Sequence, residues 1–536
     1  MRDATPIPVQ AQERIQVVDV LRGFAIFGIL LFNMRSFAGQ SMSVNDWVEP
    51  LDRAIVSLID FFVQAKFYSL FSFLFGWGMA VQMRRAEAKG TKFFPVYLHR
   101  LLILLVFGTL HGVLLWTGDI LRMYAVIGIL MLLIFRKVSP KTLLVAAGLL
   151  LFSSIFMTLP GTFMNNAREW CSGVSDCLSP TRTMSASLYA TGTYWEVTQL
   201  RYQEFIGALW WFPCYIGNVF AMMLLGLYTG KRQLFANFDE HKKLFRNVMW
   251  SGLIIGLVLN GVFTYYTANP FSSNYYALVR IGARTLGAPA LTLFYISGIT
   301  LLFQKEKWRE RLAPLAFVGR MALTNYIVHS VVLTFFFYGY GLGLYGKTDP
   351  TFALLLTIIV YLTQIHISQA YFERYQFGPL EWGWRKLTYG RVRLLADKTP
   401  RTLVETRKRR MIFVSIGTLF VALIGWILIR NPEGENILDL NLLAAPTAVA
   451  SVPEAEIATA APIVISTPVV QPIKRALGEA AAAGDLTTIA NAFDVEKVST
   501  YIAELTGQFD GRVAGSEGGH LASEYIAAQF KEYGLQ

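Results

Sequence analysis

Charge is scarce in this chain. Charged residues occupy only 16% of 536 positions while apolar residues fill 54%, and a soluble domain carries about 25% charge. An ordinary soluble globule is excluded, because most of the chain must face lipid or other helices. Signatures of soluble enzymes are missing too. No phosphate-binding loop, no nucleophile elbow in a strand-to-helix context and no paired metal-ligand motif occurs, and the six histidines are scattered. No metal ligand is therefore assigned, and mechanism has to be sought in isolated polar residues. Cysteine is limited to three positions: Cys214 sits in an apolar run, while Cys171 and Cys177 share a long loop, where they either form a disulfide or stand as two thiols. No cleavable signal precedes the first apolar run. Since Asp19 and Arg22 lie inside it, that run reads as a retained helix.

What is abundant is apolar sequence in blocks of about 20 residues, the length needed to cross ~30 Å of hydrocarbon. Such runs fall near 15–37, 54–83, 96–117, 119–135, 142–160, 206–229, 247–267, 280–303, 313–340, 351–372 and 411–429. The expected fold is all-α and polytopic, with about eleven transmembrane helices. The formal net charge of +12 would suit nucleic acid only if gathered on a solvated face. Here the cations sit in short clusters between apolar runs, which points to the lipid bilayer as partner and not to nucleic acid. Placing the N-terminus in the cytoplasm puts Arg84, Arg85, Lys89 and Lys92 inside, and likewise Arg136, Lys137, Lys141, the Lys231–Arg246 cluster, Lys305–Arg311 and the basic segment 374–410. The opposite loops at 268–279 and 341–350 are poor in cations. Eleven crossings of a bacterial cytoplasmic membrane then leave the C-terminus outside.

Composition changes after the last run. The transmembrane part is expected to end near 430, followed by an Ala/Pro-rich extracytoplasmic linker at 431–490. From 491 to 536 two amphipathic stretches flank the Gly-rich GRVAGSEG. This tail is expected to be an incomplete α/β piece of a larger domain.

Ionisable groups at membrane depth are expensive, so they are the default site candidates. In the first span Asp19 and Arg22 are three apart and can pair, and Asn33, eleven beyond Arg22, returns to nearly the same face, giving a polar stripe about 16 Å long. Snorkelling of Arg22 and helix gluing by Asn33 would explain the same residues. The third span repeats the spacing with Arg100 and His111. A histidine there can act as a general base, and Asp119, Arg122 and Tyr124 follow just after a short turn, where an acid could orient the imidazole. A hydrogen-bonded packing histidine is the alternative. Later, VGRMALTNYIVHS sets Asn325 and His329 one turn apart with Arg320 near the cytoplasmic entrance. GPLEWGWRKLTYG combines a Gly-Pro turn with Glu381, Trp382, Trp384 and Arg385, fitting either an interfacial anchor or an anionic cytoplasmic ligand.

Four segments in order, RIQVVDVLRGFAIFGILLFNM, HGVLLWTGDILRMYAVIG, GRMALTNYIVHS and FGPLEWGWRKLTYG, resemble the YeiB-like family of bacterial membrane proteins across roughly 14–395. That family is grouped with membrane acyltransferases, including the acyltransferase-3 proteins and the heparan glucosaminide N-acetyltransferases. The resemblance implies acyl transfer from a cytoplasmic donor such as acyl-coenzyme A to a cell-envelope glycan or lipid acceptor. In acyltransferase-3 proteins a basic residue of the first helix is followed eleven positions later by the proposed catalytic His. The matching positions here are Arg22 and Asn33. An amide is no base, so either the role has moved, with Arg100 and His111 as candidates, or the chemistry is lost. The tail FDGRVAGSEGGHLASEYIAAQFKEYGLQ resembles the opening of co-catalytic zinc aminopeptidases. Zinc would enter only with a complete peptidase domain; His520 is the one histidine of the tail, and no peptidase activity is expected of this chain.

Two further function classes remain beside acyl transfer. A transporter or flippase would use the polar stripes as a path, with broken helices near Pro213, Gly217, Gly287 and Pro289. A non-catalytic membrane anchor for the appended peptidase is the other.

Overall fold

The computed structural model describes residues 15–157, 182–269 and 274–390. Cys171, Cys177, the run at 411–429, the linker and the peptidase-like tail lie outside the described residues. Those residues are helical, with no strand among them. The helices are α1 (Gln16–Phe37), α2 (Pro50–Phe62), α3 (Lys66–Ala88), α4 (Phe93–Leu114), α5 (Leu121–Leu130), α6 (Pro140–Met157), α7 (Arg182–Thr191), α8 (Tyr194–Lys231), α9 (Phe238–Ala268), α10 (Asn274–Phe303), α11 (Glu306–Arg320), α12 (Ala322–Phe337), α13 (Pro350–Tyr371) and α14 (Pro379–Tyr389). Local chemistry sets several ends. Pro50, Pro350 and Pro379 open their helices, where a missing N–H costs nothing. Asp349 accepts from Phe352 N at 2.7 Å, and Thr193 with Glu196 forms a reciprocal cap on α8.

Six helical stretches among the described residues are long and apolar enough to cross a membrane, and a seventh if α11 and α12 count as one bent span. Residues 121–135 and 140–155 form shorter apolar helices. Burial separates two roles. In α1, 72% of the most apolar window is buried, whereas in α4 and α9 the share is 22%. Helix α1 is therefore the centre of the bundle, and α4 and α9 turn apolar stripes outward, such as Leu102, Val106 and Leu110 or Trp250, Ile254 and Val258. Stripes this apolar on several outer helices need a lipid surround. The chain is a multi-pass membrane protein.

Three local features differ from the sequence reading. The run at 313–340 is not one straight span: α11 and α12 meet at a 75° bend, at Met321 with φ −122° and ψ 45°, although hydropathy is continuous across it. The broken helices that a transporter would place near Pro213 and Pro289 are not there, because α8 runs through Pro213 and α10 through Pro289. The described part of the long loop expected between the apolar runs at 142–160 and 206–229 forms α7 and the first turns of α8.

Loops gather at two ends. At one, Gln40 Nε2 donates to the Thr348 and Asp349 carbonyls at 3.0 and 2.8 Å, Gly346 N to Ala38 O at 2.8 Å, Asn45 Nδ2 to Ala268 O at 2.9 Å and Tyr194 Oη to Leu114 O at 3.0 Å. At the other, Lys231 Nζ donates to the carbonyls of Arg136 and Val138 at 2.8 and 2.7 Å, and α14 lies across α4. The cation-rich loops belong to this second end.

Candidate functional site

Helices α1 and α11 cross at Gly23 and Gly319, where a Cβ on either glycine would collide with the carbonyl of Leu315 or Asp19. Small residues allow such close backbone approach in a membrane, where packing and not water drives association. The crossing brings Asp19 and Arg22 of α1 beside Arg320 of α11, at the wall of a cavity of about 340 Å³.

That cavity has a basic end and an apolar end. Arg22, Arg84, Arg85, Lys89, Lys92, Arg100, Arg320 and Arg385 line it together with two acids, Asp19 and Glu381. Arg22 pairs with Asp19 at 2.7 Å. The Arg100 guanidinium lies 3.7 Å from the centroid of the Trp384 ring, and Trp384 Nε1 donates to Arg100 O at 2.9 Å, so α14 is fastened to α4. Arg320 covers Phe372 at 3.8 Å and Arg385 covers Phe377 at 4.5 Å. Cations held on aromatic faces keep their charge directed without a full complement of carboxylates. Such an excess of fixed positive charge suits a phosphorylated ligand.

Glu381 has a different task. Its carboxylate accepts from Leu323 N at 2.7 Å, Thr324 N at 3.1 Å and the Thr324 hydroxyl at 2.6 Å. The bend at Met321 leaves the first N–H groups of α12 without intrahelical partners, and Glu381 caps them from another helix. Burial pushes its carboxyl above the usual carboxylate range, although the hydrogen bonds from Thr324 and Leu323 pull the other way.

At the apolar end the wall is made by Leu104, Ile120, Leu121, Tyr124 and Tyr326. Tyr124 Oη donates to Tyr68 O at 2.8 Å and receives the Ser72 hydroxyl at 3.0 Å. Behind Tyr326, whose ring centroid is 5.1 Å from that of His111, sits a line of three side chains. His111 Nδ1 is 2.8 Å from Asp119 Oδ1, and His111 Nε2 is 2.7 Å from Ser330 Oγ. All three residues are buried. A carboxylate can only accept, so in the neutral imidazole Nδ1 donates to Asp119 and Nε2 is the nitrogen left to accept the Ser330 hydroxyl proton. The other Asp119 oxygen accepts from Arg122 N at 2.8 Å, which fixes the carboxylate against the start of α5. Gly108 makes this possible: a Cβ there would clash with Arg122 N and crowd Asp119.

The sequence-predicted residues therefore divide into groups. Asp19, Arg22, Arg100, Tyr124, Arg320, Glu381 and Arg385 share the cavity wall. His111 and Asp119 meet one layer beyond it, while the Arg122 guanidinium covers Phe205 at 3.9 Å. Asn33 is half-buried on α1 and outside that wall, so the polar stripe of the first span does not continue along the cavity. Asn325 and His329 join α12 to α13. Asn325 Nδ2 donates to Val318 O at 3.2 Å and to the Ser368 hydroxyl at 3.3 Å. Gln364 bridges His329 Nε2 at 2.7 Å and the Asn325 carbonyl at 3.1 Å. Among the described residues no group of three His, Cys, Asp or Glu gathers as a metal site would require. Sequence reasoning missed Tyr326 and Ser330. Ser330 stands beside His329 in the segment already singled out, but its partner His111 is 219 positions away.

A family profile described as "Protein of unknown function (DUF418)" matches residues 229–391. The chain is 37% identical over 413 residues to the uncharacterized protein YxaH of Bacillus subtilis, covering 73% of this chain and 98% of that protein. It is 29% identical over 399 residues to an uncharacterized 39.9 kDa protein in the amylase 3' region of Bacillus acidopullulyticus, covering 72% and 96%. To the uncharacterized protein YeiB of Escherichia coli it is 28% identical over 414 residues, covering 73% and 100%.

Proposed function

The chain belongs to the DUF418 family of YxaH and YeiB, and on that premise we propose that its membrane domain transfers an acyl group from a coenzyme A-type donor to a cell-envelope glycan or lipid. The observation that carries this reading is His111, held between Asp119 and a hydroxyl at 2.8 and 2.7 Å, one aromatic ring beyond a cavity rich in cations. Arg22, Arg100, Arg320 and Arg385 suit the phosphates of such a donor, and the apolar end suits its thioester. His111 Nε2 removes the proton from the attacking hydroxyl, and Asp119 holds the ring in the tautomer that can do so.

The same reading sets the topology. Helices α1, α2 with α3, α4, α5, α6, α8, α9, α10, α11 with α12, and α13 are read as ten passes in alternating direction, and the apolar composition of 411–429 counts as an eleventh. The positive-inside rule then puts the N-terminus and the basic end of the cavity in the cytoplasm of a bacterial inner membrane. The same rule assigns the C-terminus to the extracytoplasmic side. Donor and acceptor thus come from opposite faces.

Purified protein incubated with radiolabelled acetyl-coenzyme A and an envelope glycan or lipid fraction is expected to label the acceptor, and the His111→Ala variant is not. Absence of transfer by a correctly folded protein to either acceptor class would refute the reading. A transporter or flippase is the second reading, favoured by the 75° break between α11 and α12 at the cavity wall. Ligand movement into proteoliposomes without any covalent transfer would select it. A plain membrane anchor for the appended peptidase predicts neither.

A further inference from the structure

Helix α12 runs from the cavity wall into the packed bundle. Ala322, Leu323 and Tyr326 of α12 are on the cavity wall, whereas Ser330 is a turn farther along the same helix, away from the basic mouth. A donor bound by the cations and an acceptor arriving from the opposite end would not meet at one point unless one of them travelled. Ser330 is beyond the cavity wall, on the side of His111. Its hydroxyl is 2.7 Å from His111 Nε2, His111 Nδ1 is 2.8 Å from Asp119, and Ser330 is 1% exposed. A packing serine in a helix would satisfy its hydroxyl on the carbonyl one turn back, as Thr334 does with Ser330 O at 2.7 Å. Ser330 instead spends its proton on an imidazole that an acid has already oriented. This nucleophile–base–orienter arrangement is the geometry by which a hydroxyl is activated for covalent catalysis.

We propose that Ser330 is a covalent relay, receiving the acyl group from the donor as an oxygen ester and passing it to the acceptor. The proposal rests on the acyl-transfer reading. In the first half-reaction the Ser330 hydroxyl oxygen bonds to the thioester carbonyl carbon while His111 Nε2 takes its proton. The carbon–sulfur bond then breaks, and the departing thiolate receives that proton from His111. In the second half-reaction an acceptor hydroxyl gives its proton to His111 and attacks the ester carbon, and Ser330 leaves with the proton. Each half returns His111 to its starting state. Tyr326, one turn before Ser330 and against His111, must swing aside for the thioester to reach the serine. The ring then separates the ester from the basic cavity and its water.

The test uses the full-length protein in detergent with radiolabelled acetyl-coenzyme A as the probe and no acceptor. Near-stoichiometric label on the peptide containing Ser330, lost in Ser330→Ala and in His111→Ala, is expected. Ser330→Cys moves the label to a thioester that neutral hydroxylamine releases, a chemical change that a merely structural serine would not produce. Transfer to acceptor that continues in Ser330→Ala, or wild-type transfer with no label on Ser330, overturns the relay and leaves acyl transfer by direct attack intact. Neither label nor transfer in the folded wild-type protein overturns both.

Discussion

Removing the Glu381 carboxylate should loosen the bend that shapes the cavity. In Glu381→Ala, two backbone N–H groups and the Thr324 hydroxyl lose their acceptor. Loss of a helix N-cap costs about 1 kcal/mol, and each orphaned buried donor costs about 1–3 kcal/mol more. The half-buried carboxylate no longer has to be desolvated, which offsets part of this, so the net loss is at least about 2 kcal/mol. Glu381→Gln keeps an acceptor oxygen and is expected to lose less than half as much. The assay is equilibrium unfolding of the purified protein in mixed micelles of increasing denaturant fraction. The pH dependence gives an independent check. Burial raises the Glu381 carboxyl, so the folded chain holds a proton where the unfolded chain has released it. That stabilisation is full below the unfolded value of about 4.3, and it is lost as pH rises through the higher folded value. Glu381→Gln flattens this slope. An alanine variant within about 0.5 kcal/mol of wild type, the range of an ordinary surface change, would show that Glu381 caps nothing.

His111→Ala and Asp119→Asn are expected to lower acyl transfer by about 10²–10⁴-fold in protein that still folds, while Asn33→Ala costs less; an inactive Asn33→Ala beside a normal His111→Ala refutes this assignment. Arg35 and Asp60 form a buried pair at 3.1 Å between α1 and α2, with Lys66 Nζ donating to Asp60 O at 2.9 Å. Asp60→Leu is expected to cost about 3–5 kcal/mol by stranding a buried cation, and adding Arg35→Met should recover part of it; additive losses in the double-mutant cycle would contradict a coupled pair. Reporter fusions at position 240 are expected to read cytoplasmic and those at 345 extracytoplasmic, and a periplasm-active reporter at 240 would overturn the topology.

The helices were legible because lipid imposes length. A span must satisfy every backbone group internally and stay apolar for about 20 residues, and that pattern survives without knowledge of any partner. The bend at Met321 was not legible for the same reason: hydropathy from 313 to 340 is continuous, and what stabilises the break is Glu381, more than 50 positions later. The prolines bear on the transporter alternative. A transporter would break its helices near Pro213 and Pro289, yet neighbouring helices can hold a proline within a membrane helix, and α8 and α10 run on.

The site was legible only where its parts are close in sequence. His111 and Asp119 are eight apart across one turn, so their meeting follows from the span and the turn alone, as does the Asp19–Arg22 pair at i, i+3. Helical periodicity reports which face a residue occupies, but not what that face meets. Arg22 and Asn33 share a periodicity, as do Arg100 and His111, yet only Arg22 and Arg100 reach the cavity. Over eleven residues α1 and α4 each leave the cavity and enter packed bundle. That same geometry explains Ser330. Its neighbour His329 carries the titratable group and draws attention, but the two residues differ by 100° around α12, so His329 turns to Gln364 on α13 and Ser330 turns to His111 on α4. On this helix the residue with the more conspicuous chemistry faces a structural partner, and the modest hydroxyl faces the imidazole.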